Sequence, residues 1–177
     1  RNGRHHSVTS SRSAITPRAN NLVVEPIVPE LPPNIAAKVA VTPTKKRSDS
    51  KGEIECGRAL RRIYGKEFKK VRPDWLKNPK TGRRLELDWY NEELGIAVEY
   101  NGEMHYHYIK HFHGSYDGYL RQIERDNAKL EICDKVGVYV ITVPYTCPIE
   151  DIEEYIRYWD PDVYAARLAQ EASVYEN

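Results

Sequence analysis

Apolar and polar residues alternate along residues 85–90, where Leu, Leu and Trp are separated by polar side chains. This alternation is typical of a strand with one buried face. Residues 96–101 begin with a second apolar segment, and the short polar stretch 91–95 between the two is typical of a hairpin turn. The sequence therefore predicts two antiparallel strands joined by a tight connection.

The other segments carry helical and strand-like patterns in turn. Apolar residues recur at helical spacing over 50–64 and over 117–135, and a glycine closely follows each stretch. A continuous β-branched run over 138–143 predicts a buried strand. The remaining predicted elements are a short strand over 68–72, a loop over 73–82, an irregular loop over 102–116 and two C-terminal helices within 149–174. This order predicts an α/β fold in which helices flank a mixed β-sheet.

Residues 1–49 differ in composition from the rest of the chain. They are rich in Pro, Ser and basic residues, and prolines interrupt the segment 23–33. Because such a segment buries little apolar surface, the sequence predicts a flexible, disordered arm or linker. We expect the arm to dock on a larger assembly or to tether another domain, and the folded domain to occupy residues 50–177.

The formal net charge of +1 conceals an uneven distribution. Lys and Arg outnumber Asp and Glu by 5 in residues 1–50 and by 8 in residues 51–84, whereas acidic residues exceed basic ones by 12 in residues 85–177. A basic face that binds a polyanion, beside an acidic metal site, would produce this asymmetry. The alternative is that the charges lie on solvated helix faces.

Two further features narrow the class of protein. The chain has no apolar run of the ~18 residues that a membrane span needs, so we expect no membrane association. Its three cysteines are far apart and odd in number, which argues against a disulfide framework or zinc ribbon. We therefore expect an intracellular protein of a reducing compartment, either cytoplasm or nucleus.

The predicted hairpin brings two acidic residues together. If the strands are symmetric about their turn, Asp88 lies opposite Glu99, with Cβ atoms roughly 5 Å apart. Two carboxylates at this distance repel each other unless a cation lies between them. An all-oxygen site of this kind suits Mg²⁺, with Mn²⁺ as a possible substitute. This pair predicts metal-dependent chemistry on phosphate.

An acid in one strand, a short turn and an acid in the next strand resemble the PD-(D/E)xK nuclease superfamily, which has the restriction-endonuclease-like fold. Further motifs occur in order: Ser50-Lys-Gly-Glu53, Arg72-Pro-Asp-Trp75, Leu85-Glu-Leu-Asp88, Val98-Glu-Tyr-Asn-Gly102, Gln122-Ile-Glu-Arg-Asp126 with Lys129, and Val140-Ile-Thr-Val-Pro-Tyr145. Together they are similar to the very-short-patch-repair-like and phage homing endonuclease group and to related nucleases of large DNA viruses. The resemblance covers roughly residues 50–146 and implies an αβββαβ core.

The resemblance implies a metal site and its ligands. Asp88 and Glu99 would hold Mg²⁺, assisted by the backbone carbonyl of Tyr100. Glu53 matches the acid that many members carry on the first helix, where it reaches the metal directly or through water. The bound metal would bind a phosphate oxygen and lower the pKa of a water that attacks phosphorus.

The signature lysine of the superfamily falls at position 101, where this chain has Asn101. Asn orients a water but cannot act as a base or carry a charge. Lys129 on the long helix could replace the missing charge, and His105 is the other candidate because imidazole titrates near neutrality. Gln122, seven residues before Lys129, could hold the substrate or the water.

Basic residues around an aromatic side chain predict a surface for the nucleic-acid backbone. The predicted contacts are Lys69, Lys70, Arg72, Trp75, Lys77, Arg83 and Arg84. In the alternative interpretation, Trp75 packs in the core and the lysines are ordinary surface residues.

The resemblance implies a Mg²⁺-dependent DNA endonuclease that nicks or cuts both strands, with RNA as a less favoured substrate. Asn101 and the long arm motivate an alternative, a catalytically inactive nucleic-acid-binding or structural module that retains the nuclease fold. A homodimer formed through the C-terminal helices would suit cleavage of two strands.

Overall fold

The computed structural model describes residues 24–41 and 49–175. Its helices are α1 (Pro33–Val41), α2 (Asp49–Tyr64), α3 (Lys110–His113), α4 (Tyr116–Lys135), α5 (Ile152–Trp159) and α6 (Pro161–Tyr175). Its strands are β1 (Lys69–Val71), β2 (Leu87–Asn91), β3 (Ile96–Asn101) and β4 (Tyr139–Pro144). The predicted mixed sheet with flanking helices is confirmed.

The four strands form one sheet in the order β1-β2-β3-β4. The pairs β1–β2 and β2–β3 are antiparallel. Strand β4 runs parallel to β3, because α4 carries the chain back across the sheet. Trp89 pairs with Val98 and Tyr90 with Ala97, so the predicted hairpin register is confirmed. The next pair in this register is Asp88 with Glu99.

The sheet separates two apolar clusters, because successive side chains of a strand point to opposite faces. On one face, α1, α2 and α5 cover β3 and β4, and this cluster includes Cys56, Leu60, Val98, Val143 and Ile156. On the other face, α4 and the segment before β2 cover the sheet, and this cluster includes Leu76, Leu87, Ala97, Cys133 and Val138. The predicted core position of Cys133 is confirmed.

Two glycines allow α2 to lie close to the sheet. A Cβ atom on Gly52 would lie 2.1 Å from the ring of Tyr100, and one on Gly57 would lie 2.5 Å from the ring of Trp89. The indole N–H of Trp89 also donates to the carbonyl oxygen of Glu53 at 3.0 Å. This close approach places Glu53 beside the ends of β2 and β3.

Residues 24–41 differ from the predicted arm. Ile35 of α1 is fully buried in the cluster beneath α2 and α5, and Lys38 forms an ion pair with Asp151 at 2.7 Å. The prolines of the stretch before α1 concealed this packing, because α1 has only nine residues and is too short to show a clear helical periodicity beside them. The rest of the predicted arm, residues 1–23 and 42–48, lies outside the described residues.

None of the helices within 24–41 and 49–175 combines the length and the apolar character that crossing a membrane requires.

Candidate active site

A break in strand pairing lies at Asp88. Lys69 opposes Tyr90 and Val71 opposes Leu87, so the same interval of pairing covers three residue steps in β2 but two in β1. An extra residue of this kind bends the strand and redirects a side chain. The irregularity therefore lies in the segment of β2 that carries Asp88, one of the two acids of the Asp88–Glu99 pair.

Glu99 is the most deeply buried carboxylate of the pair, with 6% of its surface exposed. Its Oε1 accepts a hydrogen bond from the backbone N–H of Asp88 at 3.0 Å, and its Oε2 lies 2.7 Å from Nζ of Lys129 on α4. Burial raises the pKa of Glu99 to about 7, although Lys129 opposes this rise. A carboxyl group with this pKa changes its proton occupancy near neutral pH.

Asp88 lies in a less enclosed position and faces several charges. Burial raises the pKa of its carboxyl group, and the negative charge of Glu53 adds to the rise, while Lys129 and Lys70 oppose it. Its Oδ2 accepts a long hydrogen bond of 3.4 Å from the backbone N–H of Tyr100. Because N–H and C=O of one residue point to the same neighbouring strand in an antiparallel pair, the carbonyl of Tyr100 also points toward β2.

Lys70 of β1 is a cation among three carboxylates. Its Nζ lies 2.7 Å from Oε1 of Glu53, 3.4 Å from Oε1 of Glu86 and 3.9 Å from Oδ1 of Asp88. Hydrogen bonding to Glu53 raises the pKa of Lys70, with the neighbouring carboxylates adding to the rise. The acidic side chains of α2 and β2 therefore converge on one positive charge.

The donor set suits a hard divalent cation, because Glu53, Asp88 and Glu99 all supply carboxylate oxygens. Within the described parts of the chain, no group of three or more His, Cys, Asp and Glu side chains is arranged as a ready metal site. Lys70 and Lys129 lie at these carboxylates instead. The carboxylates are thus of the donor type that Mg²⁺ or Mn²⁺ prefers, and in this structure Lys70 lies at Glu53 and Asp88 while Lys129 lies at Glu99.

Lys129 and His105, which the sequence predicts as substitutes for a lysine at position 101, lie on the same side of the sheet. Lys129 reaches Glu99 directly, and Nδ1 of His105 lies 2.7 Å from Oδ2 of Asp126 on α4. Asp126 and Lys129 are three residues apart, so they share one helix face. Sequence reasoning quoted Asp126 in a motif but missed its contact with His105, which this helical spacing could have suggested.

Asn101 ends β3 on the face that carries Glu99, because the two are two residues apart in a strand. Its backbone oxygen accepts from the N–H of Tyr145 at 2.8 Å. The neighbouring Tyr106 has a buried hydroxyl that makes no well-placed hydrogen bond to the part of the chain that the structure describes. Asn101 nevertheless lies near enough to oppose the rise that burial causes in the pKa of this phenol. Sequence reasoning missed Tyr106.

Gln122 lies on the α4 face that also carries Asp126 and Lys129. Only 6% of Gln122 is exposed, and its Nε2 has no hydrogen-bond partner within 24–41 and 49–175. A buried amide without a partner costs about 1–3 kcal/mol. The seven-residue separation places Gln122 about 10 Å from Lys129 along the helix axis, at the outer end of the site.

Most of the predicted nucleic-acid contacts form ion pairs within the protein. The pairs are Lys69 with Glu67 at 3.2 Å, Lys70 with Glu53, Arg72 with Glu86 at 3.0 Å, and Arg84 with Asp74 at 3.1 Å. Lys77 and Arg83 have no carboxylate partner in 24–41 or 49–175, and they flank a turn over residues 78–82. Trp75 is partly exposed and packs edge-on against Tyr90 at 6.3 Å. The free cations and the aromatic ring lie along one loop.

Comparison with known proteins identifies viral relatives. The chain is 48% identical over 111 residues to uncharacterized protein 094L of Frog virus 3 (isolate Goorha), and the match covers 62% of this chain and 70% of that protein. The chain belongs to the same family as protein 094L. This family membership concerns viral proteins without an assigned activity.

Two further relatives come from invertebrate viruses. Uncharacterized protein 033L of Invertebrate iridescent virus 3 is 41% identical over 111 residues, and uncharacterized protein 307L of Invertebrate iridescent virus 6 is 40% identical over 123 residues. The matches cover 63% and 61% of this chain, and 57% and 61% of those proteins. No family model and no solved structure matches the chain.

Proposed function

We propose that this protein is a Mg²⁺-dependent DNA endonuclease with a restriction-endonuclease-like fold. The convergence of Asp88 and Glu99 on neighbouring strands, with Nζ of Lys129 2.7 Å from Glu99, is the observation that carries the proposal. Two acids and one lysine are the parts that the superfamily signature requires. In this chain the lysine comes from α4, whereas the signature position holds Asn101.

The order of elements supports the same assignment. A first helix, three antiparallel strands, a long crossover helix and a parallel fourth strand follow the αβββαβ order. In this arrangement α2 supplies Glu53, the hairpin supplies Asp88 and Glu99, and α4 supplies Lys129 and Gln122. Each element therefore contributes to one side of a common site.

The oxygens of Asp88, Glu99 and Glu53, with the carbonyl of Tyr100, would hold the metal. When bound, Mg²⁺ supplies stabilisation of phosphate charge and a water of lowered pKa. Lys129 fixes the orientation of Glu99 and keeps a positive charge beside the site.

His105 is the candidate for proton transfer. Its Nδ1 contacts Asp126, so Nε2 is the nitrogen that remains to accept a proton from water or to give one to the leaving oxygen. Asn101 and Gln122 offer amide groups that orient a water or a phosphate oxygen but exchange no proton. The buried Nε2 of Gln122 gains a partner if a substrate oxygen reaches it.

The basic loop between β1 and β2 supports DNA as the substrate. Lys77 and Arg83 carry charges that no described carboxylate neutralises, and Trp75 is exposed enough to offer its ring to a base. These contacts position a nucleic-acid backbone without specifying its sequence. Cleavage of RNA, and dimerisation through α5 and α6, are variants of the same proposal.

One arrangement favours the second candidate function, an inactive nucleic-acid-binding module. Lys70 and Lys129 already neutralise part of the acidic cluster, as in a structural network of ion pairs. A module of this kind would bind DNA and leave it intact. The two functions therefore differ in a single measurable property.

Cleavage of supercoiled plasmid in Mg²⁺ or Mn²⁺ tests the proposal. We expect the wild-type protein to nick or linearise the plasmid, and Glu99→Gln to lower the rate at least about 100-fold because a metal ligand is lost. Glu92→Gln, an exposed glutamate of the β2–β3 turn, is the matched control and should keep the wild-type rate. A wild-type protein that shifts DNA on a gel but never cuts it would favour the binding module.

A further inference from the structure

We propose that Lys70 is an internal counter-ion that holds the acidic cluster together without metal and moves to a DNA phosphate when the metal binds. This inference rests on the proposed function, since it concerns the same carboxylates. It assigns Lys70 a role that differs from that of a simple surface contact. Lys70 becomes the residue that couples metal binding to substrate binding.

The geometry of Lys70 distinguishes it from the other basic residues. Its ammonium group contacts carboxylates from two elements, Glu53 on α2 and Asp88 on β2, with Glu86 just before β2 as the third partner. Among the described residues, the adjacent Lys69 pairs only with Glu67, two residues away. Lys70 thus bridges the elements that build the site, while Lys69 does not.

Lys70 and a metal ion compete for the same oxygens. A divalent ion held by Glu53 and Asp88 would lie roughly 2.1 Å from their oxygens, inside the space that Nζ of Lys70 now approaches. Two cations this close repel each other strongly. Because both cannot contact Oε1 of Glu53 and Oδ1 of Asp88, metal binding requires Lys70 to leave.

The net charge of the acidic cluster favours replacement of the Lys70 ammonium group by a divalent ion. Four carboxylates, Glu53, Glu86, Asp88 and Glu99, face three cationic groups of the described residues, those of Lys70, Arg72 and Lys129. When all are ionised, the cluster keeps one negative charge in excess, which attracts a divalent ion. A divalent ion also carries more charge than the ammonium group it displaces.

The Lys70 side chain can move away from the carboxylates. It is 49% exposed and has a flexible four-carbon stem, so its ammonium group can turn outward into solvent. There it would join the basic residues of the neighbouring loop and add one phosphate contact. Since coupling between two ligands is reciprocal, metal would strengthen DNA binding and DNA would strengthen metal binding.

Calorimetric titration of Mn²⁺ into the DNA-free protein tests the exchange. We expect Lys70→Met to bind Mn²⁺ about 10-fold more tightly than wild type, because the competing cation is gone. Lys70→Arg keeps the charge and should bind at the wild-type affinity, and Lys69→Met is the matched control with the same expectation. Lys70→Gln repeats the test in a second uncharged variant, and circular dichroism checks that each variant is folded.

The outcomes separate the two proposals. If wild type, Lys70→Met and Lys70→Gln all bind no Mn²⁺, the metal site is absent and the proposed function fails with it. If wild type binds Mn²⁺ and the uncharged variants bind it equally or more weakly, Lys70 does not compete and only this inference is overturned. As a second readout, non-cleaving Ca²⁺ should strengthen DNA binding more in wild type than in Lys70→Met; an equal gain in both would contradict the release of Lys70.

Discussion

Glu99 combines deep burial with a single close cation. Removing a carboxylate from water disfavours its charged form, and the ion pair with Lys129 at 2.7 Å returns only part of that cost. The Glu99–Lys129 ion pair is therefore not expected to raise the free energy of unfolding. Under the proposed function, a metal ion beside Asp88 would favour the charged form of both acids.

The raised pKa of Glu99 predicts a pH-dependent stability. The pKa is about 7 in the folded chain and near the ordinary glutamate value of 4.5 in the unfolded chain, so the folded state binds more protons between these values. The free energy of unfolding should therefore fall as pH rises from about 4.5 to about 7, by on the order of 3 kcal/mol from this group, and then level off. Urea denaturation of wild type and Glu99→Gln at pH 5, 6, 7 and 8 measures it.

The glutamine variant cannot titrate at this position and keeps an acceptor oxygen for Lys129. Its stability should lose the fall between pH 5 and pH 7, while Glu92→Gln should follow the wild type. Identical pH profiles for wild type and Glu99→Gln would show that the carboxyl group has an ordinary pKa in the folded chain.

At the scale of elements, α2 is positioned by contact between glycine and aromatic rings. Gly52 and Gly57 replace side chains where Tyr100 and Trp89 meet the helix, so the backbone of α2 lies directly on the rings. Glycine weakens a helix by about 1 kcal/mol relative to alanine. In return, the two glycines allow the close approach that brings Glu53 to the carboxylates of the hairpin.

Gly57→Ala should destabilise the fold although alanine is the better helix former. Its Cβ would lie 2.5 Å from the ring of Trp89, and overpacking of this kind costs about 1–3 kcal/mol. Arg61→Ala on the exposed side of the same helix is the control and should change stability by less than about 0.5 kcal/mol. Thermal and urea denaturation measure both, and a Gly57→Ala variant as stable as wild type would refute the close contact.

At the scale of the whole molecule, the basic charges are less available than their number indicates. Residues 51–84 carry an excess of 8 positive charges, but carboxylates lie within 4 Å of several of them, including Lys69, Arg72 and Arg84. An ammonium group that is already paired gains less from a phosphate. The turn that carries Lys77 and Arg83 is therefore the expected centre of the DNA contact.

A double variant, Lys77→Gln with Arg83→Gln, should weaken DNA binding at all sequences. Because each phosphate contact contributes about 0.9 to the slope of log K against log salt concentration, the slope should become about 2 less steep. Lys66→Gln with Lys135→Gln removes two cations paired with Glu93 and Glu131 outside this turn and is the matched control. Equal losses in the two double variants, measured by fluorescence anisotropy between 50 and 300 mM salt, would contradict the special role of this turn.

The sequence by itself determined the hairpin register and most of the elements after residue 49, but neither α1 nor α3. Alternation along 85–90 and the short turn placed Asp88 opposite Glu99, and helical spacing over 117–135 placed Lys129 and Gln122 on one helix face. These features are local, because the period of a strand or a helix depends only on neighbouring residues. The acidic pair was therefore visible before any tertiary contact.

Only the tertiary structure decided which charges meet. Lys70 lies 17 residues from Glu53 along the chain and yet contacts it, and Lys129 meets Glu99 across 30 residues. The burial of Ile35, beyond a proline-rich stretch, likewise depends on α2 and α5. Periodicity reports which face of an element is buried but not which distant element covers it, so ion pairs and packing between remote segments emerge only when the chain is folded.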